Sequence, residues 1–338
     1  MSAPSIKTTT VGSYPVPEWL AALPSEQARL DATRVVFDIQ RQFGIDLPTD
    51  GELYRFDINH PDTNGMIDYF IRPMGGIRAQ LGRSDHEHFA RKQTMQFRRK
   101  AAGVVEGPIT EGSLNLLADC ETAASAASVP FKFTVTSPYM LARTLDDRHY
   151  NDFEQMLMAI AEVLAWQVRE LPCASSQVDE ANIPVNPADA PIAAAAMNVV
   201  LDAISPGTER AVHFCFGNYG GQTIQKGSWI RLIEFLSSLH CDHLVLELAH
   251  RPAPDLDLDA LKDINPKLVL GLGVVDVKVN HIETPEEIAR SIGKIEKQLG
   301  PGRLGWIHPD CGFWMLKRSV ADRKMAALVK GRDLYLGR

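Results

Sequence analysis

Short apolar runs alternate along the chain with longer stretches whose apolar residues recur every three to four positions. In VPFKFTVTSP (129–138) the pattern has period two and predicts a strand. The same reading gives strands at IKTTTVG (6–12), IDLPTDGE (45–52), ASSQVDE (174–180), AVHFCF (211–216), HLVLEL (243–248), KLVLGLGVVD (267–276) and RLGWIHPD (303–310). Between them lie helical patterns. SEQARLDATRVVFDIQRQFG (25–44) has Ser25 to cap it and Gly44 to stop it. TPEEIARSIGKIEKQLG (284–300) has Thr284 as cap, Pro285 at its first position, Glu287 to complete a capping box and Gly300 at its end. Further helices are expected from the segment after Pro138 to Leu171, at 188–204, at WIRLIEFLSSLH (229–240) and over about 315–330.

Strands separated by helices imply parallel strands with crossover connections. Eight such units in this length predict an α/β fold, a (β/α)8 TIM barrel, with a doubly wound sheet as the competitor. The barrel is favoured because polar clusters follow nearly every strand, whereas a doubly wound sheet gathers its site at one switch point. The chain is read as one barrel domain over 1–338. A long excursion after the second strand, about 53–128, holds a strand pair around 78–108 and a helix in SLNLLADCETAASAA.

Composition narrows the function. The chain is 45% hydrophobic and 23% charged with a net charge of −7, which argues against a nucleic-acid surface. No apolar run is long enough for a membrane span, and MSAPSIKTTTVG has no secretory apolar core. The five scattered Cys fit reduced thiols and a cytoplasmic setting rather than a disulfide frame. RKQTMQFRRK (91–100) is read as a solvated ribbon.

The ends of barrel strands converge on one mouth. This sequence places there Ser13, Asp50, Glu52, Asp179, Glu180, His213, Cys215, Asn218, Glu247, Asp276, Lys278, His308, Asp310 and Cys311. No P-loop, CxxC, HExxH or GxSxG occurs among them, so the chemistry lies in the constellation. His213, Cys215, Glu247 and Cys311 form a four-ligand set whose thiolates and imidazole favour Zn2+. The bland alternative for Glu247 is a salt bridge to Arg251 or a neighbouring Lys. Two thiolates and a carboxylate make a poor Lewis acid, but such a metal can hold an incoming thiol deprotonated. The chemistry suggested is S-alkylation of a thiol.

The segments TTTVGSYPVP, DGELYRFD, QVDEA, HFCFGN, LELA, GLGVVDVK and HPDCGFW, in this order and spacing, resemble the catalytic barrel of cobalamin-independent methionine synthase. The resemblance covers nearly the whole chain and implies a methyltransferase that makes methionine from homocysteine. It implies zinc on His213, Cys215, Glu247 and Cys311, the homocysteine amine on Glu52 and Asp179, and its carboxylate at Ser13 with nearby backbone; Asn218, from the end of the same strand as His213 and Cys215, is a further candidate substrate contact. The family's proton-donating His falls on Lys278, which with Asp276 makes the candidate catalytic pair; His281 lies three residues on. Lys278 is read evenly as a general acid or anion contact, or as a mouth lysine paired with Asp276 or Glu283. The family's second barrel has no room here, and its pterin-stacking Trp has only Tyr139 as a nearby aromatic. Tyr14, Phe313 and Trp314 are further aromatics near the mouth. The implied partners are homocysteine or a similar small thiol and a methyl donor, either methyltetrahydrofolate or a methylcorrinoid protein. The alternatives are alkyl transfer to another thiol, as in epoxyalkane:coenzyme M transferases, and a thiol- and zinc-binding protein that needs a separate methyl carrier.

Overall fold

The computed structural model describes residues 6–57, 59, 64–92, 100–218 and 227–338. Its main sheet is parallel, built from β1 (Lys7–Thr8), β4 (Lys132–Thr136), β6 (Ser175–Glu180), β7 (Glu209–Phe214), β8 (His243–Leu246), β9 (Val269–Val275) and β10 (Leu304–Pro309), while β2 (Gly75–Arg78), β3 (Gly103–Thr110) and β5 (Leu145–Asp147) form a second, three-stranded sheet. The order in the main sheet is β1-β10-β9-β8-β7-β6-β4. The two open edges are joined by the segment 47–51. Leu47 and Gly51 bridge to Thr9 and Ser13 on one side, and Thr49 bridges to Lys132 on the other. This irregular eighth stave closes the sheet into the expected (β/α)8 barrel. Pro48 has no N–H to give, and the Thr49 amide donates to Gln40 Oε1 at 3.0 Å instead of to a strand.

Alternation within each strand divides barrel interior from helix-facing exterior. Phe133, Val135, Val178, Val212, Phe214, Leu244, Leu246, Leu270 and Leu272 are buried in the main core cluster with the helices. Asp179 pairs in register with His213, and His213 with Val245, so these three neighbours share the interior face. Below them the interior is polar: Lys132 and His308 are buried with Nζ and Nε2 lacking hydrogen-bond partners. Burial lowers the Lys132 ammonium to about 8, against the pull of Asp179, Glu209 and Glu52.

The caps are as expected. Ser25 accepts from the Ala28 amide, and Gly44 ends the helix Glu26–Phe43 at φ 85°. Thr284 and Glu287 form a reciprocal capping box on Pro285–Leu299. The excursion differs in detail. β2 and β3 are antiparallel and flank a helix, Arg83–Lys92, and β3 also pairs parallel with β5. The stretch 91–100 lies mostly outside the described residues.

Two expectations need correction. The region from Pro138 to Leu171 is not one helical run: Pro138–Ala142 and Phe153–Gln167 are separated by β5. The polar DDRHYND segment breaks it, because Asp147 accepts the His149 and Tyr150 amides, Asn151 takes φ 52°, and Asp152 caps the new helix. The last helix runs over Arg318–Leu336, beyond the expected end. No helix among the described residues is long and apolar enough to cross a membrane.

Candidate active site

β7 presents His213 and then Cys215 on the same side of the chain, and Cys311 follows β10 across the mouth. The ligand atoms of these three residues lie within 4.8 Å of one another. The His213 Nδ1–H donates to the Val245 carbonyl at 2.9 Å, which turns the lone pair of Nε2 toward the thiols. Nε2 is buried and has no hydrogen-bond partner. The Cys215 thiol beside it holds the Cys311 thiol well below the usual thiol range, and the same pairing holds Cys215 up. An orphaned imidazole nitrogen facing two sulfurs, one readily ionised, fits a soft divalent cation.

The cavity above this trio is lined by Ser13, Glu52, Asp179 and Asn218 together with His213, Cys215 and Cys311. Thr134 donates to Glu52 Oε1 at 2.7 Å, and Arg55 lies 3.3 Å from Oε2. Glu52 takes φ 58°, an uncommon conformation for a non-glycine residue, just after Gly51 at φ 76°. Gly12 makes this approach possible, since a Cβ there would sit 2.1 Å from Glu52 Oε1. Asp179 accepts from Gln177 Nε2 at 2.7 Å. Burial raises it to about 7, helped by the Glu52 charge and opposed by His213 and Arg55. Asp50 is buried behind them; it accepts the Glu52 amide at 2.8 Å and is also raised to about 7, chiefly by burial. The Asn218 amide lies 3.5 Å from the Gly312 carbonyl, and a Cβ on Gly312 would strike Ser13 Oγ at 2.0 Å.

Glu247 and the candidate pair after β9 are placed differently. Lys278 Nζ meets Glu247 Oε2 at 3.0 Å, with both side chains fully buried. The neighbouring lysine of the bland alternative is therefore Lys278. Asp276 accepts the Lys278 amide and pairs with His250 Nδ1 at 2.8 Å, and neither Asp276 nor Lys278 lines the cavity. His281 is exposed beside Glu287 at 3.4 Å. Asp310 accepts the Leu248, Ala249 and His250 amides, so it anchors the loop that follows Glu247.

Of the aromatics, Trp314 lines the cavity and is 47% exposed. Tyr14 and Phe313 are packed in a second core cluster, and Tyr139 is buried with its hydroxyl on Asp189. Met66, Ile67 and Met140 supply an apolar wall that sequence reasoning missed. The first two come from the excursion, whose sequence carries no strand-end signal. Arg55 was also missed, although it lies within DGELYRFD.

The pattern of the catalytic domain of cobalamin-independent synthases matches residues 6–332. The chain belongs to that family. A methionine synthase of Thermococcus kodakarensis is 27% identical, over 99% of this chain and 94% of that protein. One from Pyrococcus horikoshii is 28% identical, over 99% of this chain and 94% of that protein. The solved B12-independent methionine synthase from Shewanella sp. W3-18-1, in complex with selenomethionine, superposes with TM-score 0.80 at 24% identity, covering 97% of each chain. It supports the barrel fold. These family-scale likenesses span one barrel, so the length of this chain is shared with relatives that bear the methionine synthase name.

Proposed function

We propose that this chain is a zinc-dependent methyltransferase that moves a methyl group to the thiol of homocysteine. The observation that carries the reading is the convergence of His213 Nε2 with the Cys215 and Cys311 sulfurs at the floor of a cavity walled by Glu52 and Asp179. Zinc held by His213, Cys215 and Cys311, with Glu247 as the candidate fourth side chain, supplies a site that keeps a substrate thiol ionised at neutral pH.

The chain's own groups then orient the substrate. An amino acid's ammonium suits the two carboxylates Glu52 and Asp179, and burial strengthens that pairing. The ammonium also favours the ionised form of Asp179, whose affinity for a proton burial has raised. Ser13 offers a hydroxyl to the substrate carboxylate, with Asn218 on the same rim. The apolar wall of Met66, Ile67 and Met140 excludes water from the reacting sulfur. Transfer forms the S–CH3 bond and breaks the donor's bond to the methyl carbon, whose electron pair leaves with the donor. The reading keeps the whole chain as one barrel domain with an inserted excursion.

A coenzyme M type of thiol is the second reading. Its sulfonate is disfavoured by the two carboxylates at the cavity wall. A donor screen with homocysteine, followed by detection of methionine, tests the proposal. Slow or no turnover is expected with free methyltetrahydrofolate, because its leaving nitrogen needs a general acid and Lys278 is engaged with Glu247. A methylcorrinoid donor is expected to react faster. Methylation of coenzyme M but not of homocysteine would replace the proposal with the second reading.

A further inference from the structure

Beyond the groups assigned to the metal and to homocysteine, the cavity is walled by Met66, Ile67, Met140, Trp314 and the carboxylate of Glu180. Glu180 closes β6, one residue after Asp179. Its oxygens accept from the Ser137 hydroxyl and from the Asn182 and Ile183 amides, the last at 3.1 Å. Burial raises the affinity of Glu180 for a proton, and these bonds oppose it. All three donors are neutral, so they stabilise the carboxylate without cancelling its charge. On the rim, Asn218 Oδ1 is buried without a hydrogen-bond partner, while the amide nitrogen lies toward the Gly312 carbonyl. An orphaned acceptor, three carboxylates, two thioethers and an indole make a surface suited to a soft cation.

A methyl donor has to enter this cavity to reach the substrate sulfur. Bound homocysteine offsets one carboxylate with its ammonium, but its own carboxylate and ionised thiol add negative charge. A cleft of one sign draws a ligand of the other. Lys278 lies outside the cavity against Glu247, so a leaving group that needs a proton does not get it there. We infer that the wall of Met66, Met140, Trp314, Glu180 and Asn218 takes a small sulfonium ion as the methyl donor. The homocysteine thiolate attacks the methyl carbon. The S–CH3 bond of methionine forms, the donor's bond from methyl carbon to cationic sulfur breaks, and its electron pair leaves on a neutral thioether. No proton is transferred. A quaternary ammonium carries the same charge, but its amine is a stronger base and a poorer leaving group. Trp314 supplies a π system for the cation, and the Met66 and Met140 sulfurs supply polarisable contacts. The inference rests on the homocysteine reading above.

The test is the full zinc-loaded chain with homocysteine and either trimethylsulfonium, tetramethylammonium or methylcob(III)alamin. Trimethylsulfonium is expected to give methionine and dimethyl sulfide in equal amounts, well above the rate without protein. Trp314→Leu should raise the KM for trimethylsulfonium by about three- to thirtyfold. If that variant does not fold, Trp314→Phe, which keeps a weaker π system, should give a smaller rise. Fluorescence titration of the chelator-treated chain reads binding without turnover: trimethylsulfonium should change the tryptophan emission saturably in the wild type and not in Trp314→Leu. Methionine from methylcob(III)alamin but none from trimethylsulfonium would overturn the inference and leave the homocysteine reading standing. Faster methionine formation from tetramethylammonium than from trimethylsulfonium would overturn it in favour of a quaternary ammonium donor. No methionine from any of the three would remove the homocysteine reading, and the inference with it.

Discussion

The end of β7 and the ends of β8 and β9 carry equally polar sequences and fill their space differently. At β7, His213 and Cys215 direct donor atoms into the cavity, and Nε2 finds no hydrogen-bond partner. At β8 and β9, Glu247 and Lys278 close on each other with no exposed surface. The first region is a polar group kept unsatisfied for a ligand. In the second, Lys278 pairs with one oxygen of Glu247 and leaves Oε1 buried without a partner. A charged residue at a barrel strand end is therefore not by itself a site residue; what its neighbours leave unfilled decides.

The sharpest way to break this contrast is to remove the unsatisfied donors. Cys215→Ser and Cys311→Ser should each lower zinc affinity by about a thousandfold, roughly 4 kcal/mol. Elemental analysis of the purified variants checks this, and full zinc in both would end the assignment.

Asp50 extends the comparison to a buried carboxyl whose Oδ2 has no partner. Its folded-state value of about 7 lies above the ordinary 3.8. Between those values the unfolded chain sheds the proton while the folded chain keeps it. The stability this group contributes is full below pH about 4 and is lost as pH rises through about 7. Denaturation of wild-type and Asp50→Asn protein from pH 4 to 8 should show the wild type losing about 2–4 kcal/mol relative to the variant. Parallel curves would show that burial is not what governs Asp50.

Glu52→Gln and Asp179→Asn should each weaken homocysteine binding by roughly 1.5–3 kcal/mol, since an ammonium loses a charged partner. Gly12→Ala should do the same with both carboxylate residues still present, because its Cβ displaces the Glu52 carboxylate. Calorimetry on the three variants decides, and unchanged affinity in all three would point to a thiol without an amine. The smallest effect belongs to an exposed pair. Arg83 and Glu87 meet at 2.7 Å with side chains 93% and 49% exposed, so Arg83→Ala should cost less than about 0.5 kcal/mol in thermal or chemical denaturation. A larger loss would mean that exposure does not separate the two kinds of ion pair.

Much of the barrel was legible because period-two apolar runs and capped helices are local signals. Ser25, Gly44, Thr284 and Gly300 mark their helix ends within a few residues of sequence. The break at 145–152 was less legible, because a long apolar stretch on either side outweighed the turn residues between them. In the site, His213 and Cys215 could be paired from their spacing on one strand. Cys311 joins them through closure of the barrel, and the expected convergence of strand ends is what linked it to them in the sequence. The wall from Met66, Ile67 and Met140 left no trace, since apolar residues in an excursion look like ordinary core.

The sequence by itself determined the alternation of strands and helices, the polar strand ends and the donor types gathered there. These follow from side-chain chemistry and from contacts a few residues apart. Only the tertiary structure decided that Lys278 meets Glu247 rather than Asp276 or Glu283, and that Gly12 makes room for Glu52. Those choices depend on which buried groups come within hydrogen-bond reach when distant strands close into a barrel, and the cost of an unpaired buried charge selects among them.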